Sequence, residues 1–219
     1  CLVTVTYDKE TKTAKFYYNG VKVDEHTYSI GPSFTQSLVG AQVGARYLST
    51  ARVYDFNGTI DEVRIYNRVL TPEEIKAHYY SGLESHQYGR YSEDNERVTH
   101  VLSTSWHYDP GAVLALSFDE GVGDKVYDES GYGNDGVIHG ASWTEGVISK
   151  ALQFDGVDDY VEVSLTDSLQ INEGSVSFWV KLKGEGTQYQ HPVSWWDGSY
   201  DRISPYFDII DKTIGLGIF

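Results

Sequence analysis

The sequence predicts an all-β fold, a two-sheet antiparallel sandwich with one short helix. Its 219 residues suit a single sandwich of ordinary size. It contains 18 tyrosines and 22 glycines but no methionine, and aromatic residues favour strands. Short apolar segments alternate with turns rich in Gly, Asp and Asn along most of the chain. This spacing is typical of antiparallel sandwiches.

The first 80 residues are predicted to form strands followed by a helix. The Asn19-Gly20 pair predicts a tight hairpin turn, because both turn positions need a positive φ. Thr71 as N-cap, Pro72 at the first helical position and Glu74 closing a capping box predict a short helix over 72–79. The predicted strands are Leu2–Tyr7, Thr13–Tyr18, Val21–Tyr28, Leu38–Gly44, Ala51–Phe56 and Ile60–Tyr66.

The strand pattern is interrupted and then resumes. Residues 81–111 lack a clean period and end at Asp109-Pro110-Gly111, so we predict a connector, with Val98–Tyr108 as an alternative edge strand. The chain is thus divided into 1–80, the connector 81–111, and 112–219. The predicted strands after the connector are Val113–Phe118, Ala151–Phe154, Tyr160–Val163, Val176–Lys181, Tyr206–Ile210 and Ile214–Phe219.

Three segments carry a family resemblance: Phe56–Leu70 (FNGTIDEVRIYNRVL), Asp128–Gly136 (DESGYGNDG) and Phe154–Val163 (FDGVDDYVEV). Together they resemble a LamG-like jelly-roll domain of the concanavalin A-like lectin/glucanase superfamily. Residues 1–80 resemble the closing half of such a domain and residues 112–219 its opening half. The resemblance therefore implies a jelly roll that is either circularly permuted or completed by a neighbouring chain.

The resemblance also implies an extracellular or cell-surface module that binds glycans or mediates adhesion and often carries structural calcium. Fold-level analogy does not settle function, because function depends on a site built on the fold. Since the chain begins within a predicted strand, we expect it to be a piece of a larger polypeptide.

A calcium site is predicted from acidic and amide side chains. Period-2 alternation places Asp61 on the face of Val63 and Ile65, where a buried carboxylate needs a partner. The loop from Asp128 to Gly136 offers the side-chain oxygens of Asp128 and Asn134, which suit Ca²⁺. By resemblance, this loop meets the strand that carries Asp61, so one ion would clamp both halves.

Two further carboxylates, Glu62 and Asp119, are second-rank candidates for the calcium site. The alternative is an Asx-turn network without metal, in which Asp128 and Asn134 cap backbone amides. Asp158 and Asp159 are predicted to form a solvated turn.

A glycan-binding patch is predicted within 193–207, VSWWDGSYDRISPYF. Sugar rings stack on aromatic side chains through their C–H faces, while hydroxyls need polar partners. Contact with a neighbouring subunit and ordinary core packing are the alternatives. The candidate glycan-binding residues are Trp195, Trp196, Tyr200 and Asp201.

Asn57-Gly58-Thr59 forms a glycosylation sequon just before the predicted strand at Ile60. We expect it on a surface loop, with Asn57 as the acceptor. Such triplets also occur by chance, and this alternative stays open.

The charge pattern restricts the partners. The formal net charge is −15, and the excess acid lies after residue 80, where 23 acidic residues face eight basic ones. An acidic surface repels phosphate backbones, so we expect no nucleic-acid partner. No apolar run is long enough to span a bilayer, so no membrane insertion is expected. The single cysteine, Cys1, excludes an intrachain disulfide.

Two functions of different class remain. The sequence lacks the E-x-D-x-x-E strand of related glucanases, an HExxH pair and a Gly-x-Ser-x-Gly elbow, so we expect no catalysis. The first hypothesis is a non-catalytic extracellular glycan-binding or adhesion module with structural calcium. The second is a structural subunit of an extracellular filament or array, in which neighbouring copies exchange strands.

Overall fold

The computed structural model describes residues 1–29, 40–48, 51–53, 55–88, 111–164, 166–171, 173–183, 189–196, 201–208 and 213–218. Only the backbone is described at 47–48, 51–53, 84–88, 195–196, 201–204 and 216–218. In these ranges the chain folds as a sandwich of antiparallel sheets with one α-helix. The predicted all-β class is confirmed, and the architecture is consistent with a concanavalin A-like jelly roll.

The elements are numbered in chain order. The strands are β1 (Leu2–Asp8), β2 (Thr13–Tyr18), β3 (Val21–Thr27), β4 (Gly40–Val43), β5 (Arg46–Leu48), β6 (Ala51–Val53), β7 (Asn57–Tyr66), β8 (Ala112–Leu116), β9 (Lys125–Val126), β10 (Gly136–His139), β11 (Ser142–Glu145), β12 (Lys150–Asp155), β13 (Tyr160–Ser164), β14 (Gly174–Leu182), β15 (Tyr189–Gln190), β16 (Val193–Trp196), β17 (Asp201–Asp208) and β18 (Thr213–Ile218). The helix α1 spans Pro72–Tyr88, and Asp167–Leu169 form a 3-10 turn.

Within the part of the chain that the structure describes, two eight-stranded sheets form the sandwich. Sheet A has the order β11-β12-β7-β14-β1-β2-β3, with β8 also pairing with β7. Sheet B has the order β15-β17-β16-β4-β13-β10-β9, with β18 also pairing with β17. Strands from before and after the predicted connector are neighbours in both sheets, since β7 and β1 flank β14 while β13 and β16 flank β4. The chain order relative to the family stays a prediction.

The core lies between the two sheets. Alternate residues of each central strand point inward, as period-2 geometry requires. In β1 the residues that face the core are Val3, Val5 and Tyr7, and in β14 they are Val176, Phe178 and Val180. The largest fully buried core side chains include Phe56, Phe118, Phe154 and Phe178.

The hairpin and the helix start follow the sequence prediction. Asn19 and Gly20 have φ of 51° and 78°, as a tight turn between β2 and β3 requires. The Thr71 amide donates to Glu74 Oε2 at 2.8 Å, and the Glu74 amide donates to Thr71 Oγ1 at 3.2 Å, which completes the capping box.

Helix α1 continues to Tyr88, well beyond the predicted end at residue 79. It covers part of the outer face of sheet A, where Ile75 packs with Tyr17, Tyr66, Leu70 and Ala112. Further along the helix, Tyr79 stacks on Trp179 and Gly82 lies against the same indole, so the packing on sheet A continues past the predicted end. Within the described ranges, no helix combines the length and apolar character needed to cross a membrane.

The face prediction for Asp61 was wrong because of a β-bulge. The register between β7 and β14 shifts, so that Asp61 pairs with Trp179 but Arg64 pairs with Ser177. Glu62 lies at the shift with a φ of +53°. The extra residue reverses the alternation. Consequently Ile60, Val63 and Ile65 face the core while Asp61 lies on the outer face of sheet A.

The structure also contains strands that the sequence did not predict. They are β5, β9, β10, β11, β15 and β16. Each has only two to four residues, too few to show a clear period. The alternative edge strand at Val98–Tyr108 lies outside the described residues, as do 89–110 of the predicted connector.

Candidate functional site

A cleft of about 800 Å³ opens on the outer face of sheet A, beside α1. We call it the sheet A cleft. The alternation along the central strands explains its composition, because residues that point away from the core form its floor. Its lining comprises Cys1, Tyr18, Thr59, Asp61, Thr144, Glu145, Gly146, Val147, Gln153, Trp179, Val180, Lys181 and Leu182.

The floor is a polar network that is already hydrogen-bonded. The Thr59 hydroxyl donates to Gln153 Oε1 at 3.1 Å. The Gln153 amide nitrogen donates to the carbonyl oxygens of Gly58 at 2.8 Å and Phe154 at 2.9 Å. Gln153 therefore fixes the floor and has its amide groups satisfied within the protein.

Two aromatic residues contribute to the cleft in different ways. Tyr18, at the end of β2, is 43 % exposed. Trp179 is buried, stacks on Tyr79 of α1 with ring centroids 5.8 Å apart, and lies against Gly82, where an added Cβ would meet the indole at 2.5 Å. Tyr18 thus offers an open ring face, whereas Trp179 supports the floor.

One wall is the loop between β11 and β12, which a buried carboxylate holds in place. Asp61 Oδ2 accepts hydrogen bonds from the amides of Val147 at 2.6 Å and Ile148 at 3.2 Å. The Lys150 amide donates to Asp119 Oδ1 at 2.9 Å. Gly146 approaches so closely that an added Cβ would lie 2.5 Å from Asp61 Oδ2. The loop conformation therefore depends on Asp61 and Asp119.

Asp61 is the electrostatically most unusual residue of the sheet A cleft. It is 2 % exposed, and its Oδ1 has no hydrogen-bond partner among the described residues. Burial raises its pKa from 3.8 to about 7, although the Ile148 and Val147 amides act in the opposite direction. Nearby Asp119 raises this pKa further. Asp61 is therefore a carboxyl group whose charge is costly in the folded protein.

Glu62, the neighbour of Asp61, is paired. Its Oε2 accepts a hydrogen bond from Arg64 Nη2 at 2.8 Å, and both side chains are buried. Burial raises the pKa of Glu62, while Arg64 opposes that shift. The pKa of Glu62 is also raised by the charges of Asp61, Asp119 and Glu129. With Glu62 itself, four carboxyl groups therefore lie near the Arg64 guanidinium.

The Asp128 loop forms the alternative that the sequence left open, an Asx-turn network. Asp128 Oδ1 accepts from the amides of Ala115 at 2.9 Å and Ser130 at 3.0 Å. Its Oδ2 accepts from the Ser130 hydroxyl at 2.7 Å and the Asn134 amide at 2.9 Å. A carboxylate has about four acceptor positions, so these donors occupy them all.

Asn134 is committed in the same way. Its amide nitrogen donates to the Val113 carbonyl at 2.6 Å and to Ser168 Oγ at 3.0 Å, and its Oδ1 accepts from Thr166 Oγ1 at 2.5 Å. The side-chain oxygens of Asp128 and Asn134 therefore do not fit calcium ligation in this arrangement. Structural calcium stays a prediction, and we derive no step from it.

We expect Asp128→Ala to lower the free energy of unfolding by about 2–4 kcal/mol, since four donors lose a charged acceptor. Because those donors belong to the protein, the loss should be equal in millimolar calcium and in chelator. Thermal melting followed by circular dichroism measures it, with the exposed Asp124→Ala as control. A calcium-dependent stabilisation that disappears in Asp128→Ala would instead support the predicted ion.

The remaining predicted ligands do not form a tight cluster. Across the described ranges, one group of three acidic residues has oxygens that all lie within 4.8 Å of one another, namely Asp155, Asp158 and Asp159. The predicted ligands Asp61, Glu62 and Asp119 are not such a group. The Asp155 amide donates to Asp159 Oδ2 at 2.9 Å, as in a turn, and only Asp159 of the three is buried.

The predicted glycan-binding patch lies mostly outside the described side chains. The backbone of β16 pairs Trp195 with Ala41 and Trp196 with Gly40, and Asp201 begins β17. Tyr200 lies outside the described residues, as do the side chains of the other three. Contact of these four residues with glycan stays a prediction.

The sequon does not lie on a loop. Asn57 is the first residue of β7, its amide donates to Gln190 Oε1 at 2.9 Å, and its side chain is half-buried. An added Cβ on Gly156 would lie 2.7 Å from Asn57 Cβ, which shows how closely the chain approaches. Glycosylation of Asn57 stays a prediction, on a strand end that offers less room than a loop.

Sequence reasoning missed Tyr18, Gln153 and Lys181 as site residues. The alternation in β14 shows that Trp179 and Lys181 share one face. That signal was available, but it did not reveal which strands stand beside β14. Only the strand order of sheet A brings Tyr18, Thr59 and Gln153 to the same cleft.

Comparison with known proteins gives one finding. A laminin G family model, described as the concanavalin A-like lectin/glucanases superfamily, matches residues 2–76, about a third of the chain. No curated protein and no solved structure matches the chain. The matched segment includes β1–β7 and supplies Tyr18, Thr59 and Asp61 to the cleft. At the coarse level this match supports a lectin-like or adhesion module.

Proposed function

We propose that the chain is a non-catalytic extracellular glycan-binding module that holds carbohydrate in the sheet A cleft. The observation that carries this proposal is the composition of the cleft. It combines the open ring of Tyr18 with the polar side chains of Thr59, Thr144, Glu145 and Lys181. A flat apolar surface beside convergent hydrogen-bonding groups suits a sugar, which has C–H faces and hydroxyl edges.

The rigidity of the floor supports the same function. Gln153 and Thr59 are fixed by hydrogen bonds within the protein, and Trp179 is held between sheet A and α1. A preformed surface loses little entropy when a ligand binds, and this favours affinity for small, weakly bound ligands such as oligosaccharides.

The proposal predicts that Tyr18→Ala weakens oligosaccharide binding about two- to tenfold, because an aromatic contact contributes about 0.5–1.5 kcal/mol. A glycan array would identify ligands, and isothermal titration calorimetry would compare the variants. Tyr132→Ala is the matched control, since Tyr132 is 55 % exposed and lies outside the cleft. Equal binding by both variants, or no glycan bound by the parent chain, would contradict the proposal.

The alternative function, a filament or array subunit, has one observation in its favour. Strand β3 is an edge of sheet A, and all seven of its residues are exposed, including Val21 and Val23. An open edge is the kind of surface to which a neighbouring copy adds a strand. The charged residues Lys22, Asp24 and Glu25 on β3 oppose such pairing, so we rank this function second.

A further inference from the structure

The sheet A cleft contains more carboxylate than cationic side chains, and these side chains differ in burial and in pairing. Two carboxylate side chains, Asp61 and Glu145, line it together with one cationic side chain, Lys181. Glu145 forms an ion pair with Lys150 at the cleft edge. Lys181 has no ion-pair partner within the described part of the chain. A ligand in the cleft therefore meets one unpaired cation and a buried carboxylate.

Among the charged side chains of the cleft, Asp61 acts most strongly on a ligand because it is buried. A charge in a low-dielectric setting acts on a neighbouring group far more strongly than one in water. One of its oxygens holds the loop, while the other makes no hydrogen bond in the described structure. A carboxylate accepts hydrogen bonds and cannot donate them, so a ligand group that bonds to this oxygen must be a donor.

The net charge of the whole chain also disfavours the binding of anionic ligands. The net charge of −15 gives a negative field that raises the free energy of any approaching anion. A neutral sugar does not feel this repulsion, and its hydroxyls both donate and accept hydrogen bonds. Hydroxyls thus match both Asp61 and Lys181, whereas a sulfate or uronate group matches only Lys181.

We propose that the sheet A cleft selects neutral glycans and rejects those bearing carboxylate or sulfate groups, with Asp61 as the residue that sets this selectivity. Lys181 donates to hydroxyl or ring oxygens of the same ligand. This inference rests on the proposed glycan binding and adds the substrate class. The selectivity arises from repulsion between the Asp61 carboxylate and acidic glycans as well as from hydrogen bonds to the hydroxyls of neutral glycans.

The test is a panel of neutral oligosaccharides and their sulfated and uronic-acid counterparts, titrated calorimetrically at pH 8. The parent chain should bind neutral members at least about tenfold more tightly than acidic ones. Asp61→Asn should reduce that ratio about tenfold, because the amide carries no charge and donates as well as accepts. Lys181→Met should weaken binding of neutral ligands, while Lys183→Met, just after the same strand and outside the cleft lining, should not.

The second variant is Glu145→Gln, which tests the negative charge of the cleft without changing the loop contacts of Asp61. Glu145 is exposed, so its replacement leaves the fold intact and should shift the ratio in the same direction by a smaller factor. A preference of the parent chain for acidic glycans, or an unchanged ratio in the folded Asp61→Asn variant, would overturn the inference. The proposed glycan-binding function would still hold if binding depended on Tyr18. If the parent chain bound no glycan at all, both the proposed function and the selectivity inference would be overturned.

Discussion

Replacement of Arg64 by methionine should lower the free energy of unfolding by about 3–5 kcal/mol, the usual cost of leaving a buried charge without its partner. Arg64 Nη2 lies 2.8 Å from Glu62 Oε2, and Glu62 is 4 % exposed. The bulge at Glu62 fixes this geometry, so the glutamate does not reach water without opening β7. Urea unfolding followed by tryptophan fluorescence measures the loss.

Arg68→Met is the matched control for Arg64→Met. Arg68 also pairs with a glutamate, Glu74, at 2.9 Å, but both side chains are more than one third exposed. An exposed pair contributes about 1 kcal/mol at most. The double variant Glu62→Gln/Arg64→Met should recover part of the loss, because it removes both buried charges. A loss in Arg64→Met no larger than in Arg68→Met would contradict the buried-pair account.

Asp61→Asn should stabilise the protein at pH 8 and should flatten the dependence of its stability on pH. The pKa of Asp61 is about 7 in the folded chain and 3.8 without the protein environment. The folded state therefore binds more protons than the unfolded state between these values. The contribution of Asp61 to the stability of the folded state is therefore largest below pH 4. This contribution is lost as the pH rises through 7.

The size of the effect follows from the two pKa values. A change from 3.8 to about 7 corresponds to about 4 kcal/mol of unfolding free energy that is absent at pH 8. Asparagine carries no charge and keeps an oxygen acceptor for the Val147 and Ile148 amides. The advantage of Asp61→Asn over the parent chain should therefore shrink towards pH 5.

Chemical denaturation of parent and Asp61→Asn at pH 5, 6, 7 and 8 tests this prediction, with the exposed Asp124→Asn as control. The series should be run in chelator and again in millimolar calcium. If Asp61→Asn destabilised the protein at pH 8 in the calcium series but not in the chelator series, the conclusion would be reversed. That result would indicate an ion at Asp61, as the sequence-based calcium hypothesis holds.

Local features of the fold were predictable because their causes lie within a few residues. The Asn19-Gly20 turn and the Thr71–Glu74 capping box depend on adjacent backbone angles and hydrogen bonds, and both occur as predicted. The alternation of core-facing residues along β1, β2 and β14 likewise depends on local backbone geometry. These patterns together were enough for the all-β sandwich.

The site was less predictable, because it depends on contacts between distant strands. Asp61 was correctly expected to be buried, but the bulge at Glu62 turned it to the outer face. Asp128 and Asn134 have the oxygens that calcium prefers, yet Ala115, Ser130 and Thr166 occupy them. Composition shows which donors and acceptors a loop contains and leaves open which of them meet.

The sequence by itself determined the sandwich class, the hairpins and the helix start, since periodicity and turn chemistry act locally. Tertiary structure alone decided the strand order of sheet A, and with it the gathering of Tyr18, Asp61 and Lys181 in one cleft. The physical reason is the range of the interactions. Asp61 is held by the amide of Val147, 86 positions further along the chain, and its burial in the folded protein raises its pKa.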